Sequence, residues 1–154
     1  MKLICPTQIV DTTLQHLLDA GGRRQECVVL WLGKRSGDEV TIAASYRPLQ
    51  TAKADMFHIG RAGMQALHDE LRRLRLMVAA QVHSHPFEAF HSSADDEWAI
   101  VRHEGALSLV VPHFASQTRT ANFLQMTKVY RFSATARWVE VPQADVTRTC
   151  LQIS

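Results

Sequence analysis

The sequence predicts a single α/β (α+β) domain over residues 1–154, a mixed β-sheet flanked by helices. Three observations predict it. Short runs rich in β-forming residues are interleaved with segments of helical periodicity, the order expected when helices cover a sheet. The length of 154 residues is that of one domain, which buries roughly 70% of the surface its unfolded chain exposes. No repeat, low-complexity stretch or Pro/Gly/Ser linker divides the chain.

The elements follow in order. Residues 1–5 form an apolar strand that stops at Pro6. Thr7 can cap a helix in which Val10, Leu14, Leu17 and Leu18 recur at helical spacing, and Gly21-Gly22 end it. Glu26 to Leu32 reads as a buried strand. Ser36-Gly37-Asp38 signal a turn, and Val40 to Tyr46 return as the second arm of a hairpin. Residues 47–57 read as a loop. Met64, Leu67, Leu71 and Leu74 mark an amphipathic helix. Met77 to His85 reads as a central strand, ended by Pro86, which cannot donate to a ladder. A helix is expected from Ser92 or Ser93, stopping before Gly105. Leu107 to Val111 is a strand, residues 114–127 are irregular, and Lys128–Ser133 with Arg137–Val141 form a last hairpin.

Bulk properties exclude several functions. A net charge of +2 is spread along the chain. The densest basic stretch, Arg72-Arg73-Leu74-Arg75, lies on a helix without the aromatic interleaving that nucleic-acid binding wants. No apolar run approaches the roughly 18 residues of a membrane span, and MKLICPTQIVD lacks the features of a secretory leader. Neither nucleic acid nor membrane is therefore an expected partner. Cys5, Cys27 and Cys150 are odd in number and contain no C-x-x-C pair. They read as reduced and buried, which fits a cytoplasmic protein.

The chemistry lies in Gln81-Val-His-Ser-His-Pro-Phe-Glu-Ala-Phe-His-Ser-Ser-Ala-Asp-Asp96. His83 and His85 end a strand two residues apart, so their imidazoles share one face. A catalytic zinc takes three protein ligands and keeps a fourth position open. A carboxylate from the next helix can complete the set. Ser93 and Asp96 stand three apart, on one helix face, and Asp95 would point about 100° away. Asp96 is thus the expected ligand. Ser93-x-x-Asp96 also reads as a variant capping box, and Ser92 can cap the helix and leave Ser93 free. His91 lies in the intervening loop as a competing ligand, and Glu88 reads as a loop residue.

His83-Ser84-His85-Pro86, six residues, then Ser93-x-x-Asp96 resembles the JAMM signature of the MPN-domain metalloproteases, prokaryotic JAB type. Glu26, in Glu26-Cys27-Val28-Val29-Leu30-Trp31-Leu32-Gly33, matches the family's early-strand glutamate. Gly105–Pro112 looks like the strand after the motif helix. The resemblance implies a single MPN/JAB domain with a curved sheet in a cytidine-deaminase-like arrangement. It implies one Zn2+ per chain on His83, His85 and Asp96, with Glu26 moving protons and Ser93 bonding the oxyanion. It further implies a cytoplasmic isopeptidase cleaving after the C-terminal glycine of a ubiquitin-like protein, accompanied by E1-like and E2-like proteins, some of them in antiphage defence. The insertions by which eukaryotic relatives grip ubiquitin look short or missing. Two other readings stand beside it: release of an amino acid such as cysteine from a sulfur-carrier C-terminus, and a metal-free scaffold.

Overall fold

The computed structural model describes residues 1–54, 57–92, 95–96 and 99–154. Strand β1 (Lys2–Cys5) leads into helix α1 (Thr7–Gly21), then the hairpin β2 (Val28–Ser36) and β3 (Glu39–Tyr46). The short pair β4 (Thr51–Ala52) and β5 (Phe57–His58) precedes helix α2 (Arg61–Leu74). Strands β6 (Met77–Ser84), β7 (Leu107–Val111), β8 (Lys128–Phe132) and β9 (Trp138–Glu140) follow. Between β7 and β8 lies the one-turn helix α3 (Phe123–Met126), and the chain closes with α4 (Gln143–Thr149) and β10 (Leu151–Ile153).

Among the described residues, eight strands form one sheet in the order β10-β1-β3-β2-β6-β7-β8-β9. Pairing is parallel at β1–β10, β1–β3 and β6–β7 and antiparallel elsewhere in the sheet. The expected mixed α+β architecture is therefore present. Register shifts on β2 at Trp31/Leu32 and Leu32/Gly33 add local twist and curl the sheet.

The apolar pattern decides which helix lies where. Val10, Leu14 and Leu17 of α1 recur every three or four residues and bury against Val29, Trp31, Ala80 and Val82 on one sheet face. Thr13 sits in that same stripe and accepts the indole N–H of Trp31 at 2.9 Å, so the buried donor is not orphaned. Leu18, expected on this face, turns to the exposed rim. Leu67 of α2 packs with Val28, Leu30, Leu32 and Phe57 on the opposite face. Gly37 makes the β2–β3 turn with φ of +61°, a conformation open to glycine without steric cost.

Several expectations are refined. Pro6, not Thr7, is the extended residue before α1, and no side chain caps that helix. Residues 47–57 contain β4 and lead into β5 rather than forming a plain loop. Residues 99–106 are not helical, so the motif helix stops well before Gly105. The unexpected β10 is three residues long, too short to show periodicity. It forms because β1 offers a parallel edge, with Leu3 opposite Leu151.

Candidate metal centre

The site sits where β6 ends, on the sheet face that α2 covers. Alternation along β6 sends Gln81, His83 and His85 to one side. Val28 pairs with His83, and the ladder continues as the Ser84 N–H donates to the Cys27 carbonyl at 3.2 Å. The Cys27 N–H donates in turn to Ser84 Oγ at 3.2 Å. Glu26 is the next residue back along the chain. Glu26 is 2% exposed, and its N–H donates to the Lys53 carbonyl at 2.6 Å.

His83 is fully buried and His85 nearly so. Their rings lie 5.3 Å apart, with Phe57 5.5 Å from His83 and Phe90 edge-on to His85 at 4.7 Å. The end of β6 is braced by a left-handed turn at His113, Phe114 and Ala115, with φ of 55°, 51° and 63°. This turn carries the Phe114 N–H to the His85 carbonyl at 2.8 Å and the His113 N–H to the Phe87 carbonyl at 2.9 Å.

The carboxylate that faces the pair is Asp95. Its Oδ1 lies 3.2 Å from His83 Nε2 and its Oδ2 3.1 Å from His85 Nε2. Asp96, the expected ligand, has a side chain 61% exposed and pairs with His91 Nδ1 at 2.8 Å. The reason is local. Ser92, not Ser93, starts the turn: its hydroxyl accepts the Asp95 N–H at 3.1 Å and its N–H donates to Asp95 Oδ2 at 2.8 Å. This is a reciprocal capping box begun one residue early. Three residues on from that cap stands Asp95, and the next residue is rotated about 100° outward. Ser93 lies outside the described residues.

His83, His85 and Asp95 each offer a ligand atom, and these lie within 4.8 Å of one another. The 3.1 and 3.2 Å separations approach the roughly 3.3 Å edge of a tetrahedron whose bonds are about 2.0–2.1 Å long. Among the described residues His83 has no well-directed hydrogen bond at either ring nitrogen, and its Nε2 lies 3.2 Å from Asp95 Oδ1. A buried imidazole is normally hydrogen-bonded, so this one suits a metal. Burial pushes the Asp95 carboxyl upward, but the field of His83 and the hydrogen bonds of His85 and the Ser92 N–H outweigh it. They hold it well below the usual carboxylate range, ionised as a ligand must be. The donor set of two imidazoles and one carboxylate fits a divalent metal and supports a metal-dependent hydrolase.

A second group of polar residues joins the centre, of which only His91 was expected near it. Gln81 Nε2 donates to Ser108 Oγ at 3.2 Å, and Ser108 is 3.2 Å from His91 Nε2. The His91 ring packs against Tyr130 and Trp138 at 5.0 and 5.3 Å. Burial raises the Tyr130 hydroxyl, which accepts the His91 N–H at 3.2 Å. The signal was available: Gln81 continues the alternation of His83 and His85, and Ser108 is a polar residue within the apolar run Leu107–Val111.

No protein-family model matches the sequence. The chain is 35% identical over 147 residues to "Probable metalloprotease y4jG" of Sinorhizobium fredii (strain NBRC 101917 / NGR234), covering 93% of this chain and 89% of that protein. The solution structure of protein DSY2949 from Desulfitobacterium hafniense is similar with a TM-score of 0.70 at 16% identity, over 99% of this chain and 92% of that one. At that identity the likeness is one of fold.

Proposed function

The chain belongs to the same family as the probable metalloprotease y4jG, and on that premise we propose that it is a JAMM-type zinc metallopeptidase. Its substrate in this reading is a ubiquitin-like protein, cut after the C-terminal glycine by deconjugation or precursor processing. The observation that carries the proposal is the buried His83–His85–Asp95 group; Glu26 is itself buried. His83, His85 and Asp95 would hold one zinc ion. When bound, zinc supplies a Lewis acid that polarises the scissile carbonyl and acidifies water near neutral pH. Glu26 takes the proton of the attacking water and hands it to the departing amine. The Ser93 hydroxyl donates to the oxyanion that develops on the carbonyl.

The surface around the centre supports a protein substrate over a single amino acid as leaving group. Phe87 and Phe90, in the loop directly after His85, are 76% and 53% exposed. A pocket of about 590 Å3 lies at Phe87, lined also by Leu18, Pro86 and Phe114 among others. E1-like and E2-like proteins of the same conjugation system are the partners that fit this reading. The cytoplasm is its setting, supported by three free, buried cysteines. Among the described residues no helix is long and apolar enough to cross a membrane.

The test is cleavage of a panel of Gly-terminated ubiquitin-like proteins fused to a reporter, with zinc content measured on the same preparation. One zinc per chain and cleavage abolished by Glu26→Gln, with zinc retained, is the expected result. No zinc in the protein and no cleavage of any fusion would overturn the proposal. Zinc lost in Glu26→Gln would make that residue a ligand instead.

A further inference from the structure

We propose that His91 is a positioning residue of this centre, one that selects Asp95 over Asp96 as the carboxylate facing His83 and His85. The inference rests on the metal centre proposed above. Although His91 belongs to a loop, its side chain is only 4% exposed, and both ring nitrogens are engaged. The partners assign the protons. The Asp96 carboxylate can only accept, so Nδ1 carries hydrogen and donates at 2.8 Å. Nε2 then accepts from the Ser108 hydroxyl, and Ser108 Oγ accepts from the Gln81 amide. Every donor meets an acceptor with His91 neutral, and burial together with the field of His83 favours that form.

The chain of bonds has a mechanical meaning. Gln81 and Ser108 are register partners on β6 and β7. Gln81 Oε1 also accepts the Ile100 N–H at 2.9 Å. One pair of side chains in the sheet therefore holds both His91 and Ile100, which flank Asp95 and Asp96 in the sequence. Two adjacent aspartates on one turn compete for a single place, and the turn can present only one. Capture of Asp96 by His91 fixes the rotation that leaves Asp95 inward. Presenting Asp96 instead would break the His91–Asp96 bond and the reciprocal Ser92–Asp95 pair together.

Zinc affinity measured by competition with a chromogenic chelator tests this in wild type, His91→Leu, His91→Asn, His91→Gln and Asp95→Asn. An asparagine amide can overlay Nδ1 and still donate to Asp96. A glutamine amide can overlay Nε2 and keeps only Ser108. Loss of a group that orients a ligand typically costs about 10- to 100-fold in metal affinity. That loss is expected for His91→Leu and His91→Gln, whereas His91→Asn should stay within about threefold of wild type because the orienting bond is kept. Equal losses in the Asn and Gln variants, or a Leu variant indistinguishable from wild type, would overturn the role of His91. Circular dichroism checks folding, and should His91→Leu not fold, the Asn–Gln comparison decides alone. Unchanged affinity in Asp95→Asn would remove the metal-centre reading itself. A large loss there with none in the His91 variants removes only the present inference.

Discussion

Replacing Asp95 by asparagine tests the placement of the third ligand most directly. The substitution keeps the volume and removes the charge. In the native site the Asp95 oxygens face His83 Nε2, His85 Nε2 and the Ser92 N–H at 3.2, 3.1 and 2.8 Å. An amide offers one oxygen in place of two, and no negative charge to offset a divalent ion. Loss of a residue that merely orients a ligand costs about 10- to 100-fold in affinity, so loss of a ligand should exceed about 100-fold. At about 1.4 kcal/mol per tenfold, that is more than roughly 2.8 kcal/mol of binding free energy. Asp96→Asn keeps an amide oxygen to accept from His91 Nδ1 and removes only the charge, so it belongs to the smaller class, about 10-fold or less. The assay is zinc competition against a chelating chromophore, with elemental analysis for stoichiometry. If Asp96→Asn loses more zinc affinity than Asp95→Asn, the reasoning from the Ser92 cap is refuted, and the signature spacing from Ser93 sets the ligand.

Further consequences are open to measurement. Ser93→Ala should lower kcat on a cleaved fusion by roughly 10²–10³-fold with zinc affinity unchanged; an unaltered kcat would remove its oxyanion role. At Gly21 an added Cβ would stand 2.6 Å from Phe114 Cβ and 2.8 Å from its carbonyl oxygen. Overpacking there, at about 1–3 kcal/mol, outweighs a helix-propensity gain of about 0.5–1 kcal/mol. Gly21→Ala should thus lower the denaturant midpoint, and a midpoint that rises would contradict the close approach. Burial pushes the Cys5 thiol up to about 12 and the Cys27 thiol up to about 11. An unfolded thiol ionises near about 8.5, so the unfolded state loses its protons first as the pH rises. The contribution of each thiol is full below that value and lost as the pH climbs to the folded value, with a slope of up to about 1.4 kcal/mol per pH unit. Denaturation from pH 8 to 10.5 should show this fall, flattened in Cys27→Ala; an equal slope in both proteins would refute it.

What could be read from the sequence was whatever depends on local pattern. The histidine pair was legible because alternation on a strand ended by proline needs no tertiary information. The β2–β3 hairpin announced itself through Ser36-Gly37-Asp38 and the apolar runs on either side. Glu26 was placed by resemblance alone, since the register of β2 against β6 runs only as far as Val28 opposite His83. The aspartate was misjudged because two serines and two aspartates in tandem offer two caps one residue apart, and spacing alone does not say which closes. Tertiary partners say it: His91 and, beneath it, Ser108. Those partners were hidden because Gln81 and Ser108 are 27 residues apart and meet only through the parallel pairing of β6 and β7. Strand β10 was hidden for the same kind of reason, since its partner lies at the other end of the chain.

The double anchoring of His91 and Ile100 also has a consequence in time. A loop tied at one end frays residue by residue, each amide exchanging with solvent at its own rate. His91 and Ile100 are held by the same two side chains, so their release is a single cooperative event. The Ile100 amide, bonded to Gln81 Oε1, reports that event in hydrogen exchange. Its protection tells how often the Gln81–Ser108 pair lets go, and with it the hold on His91.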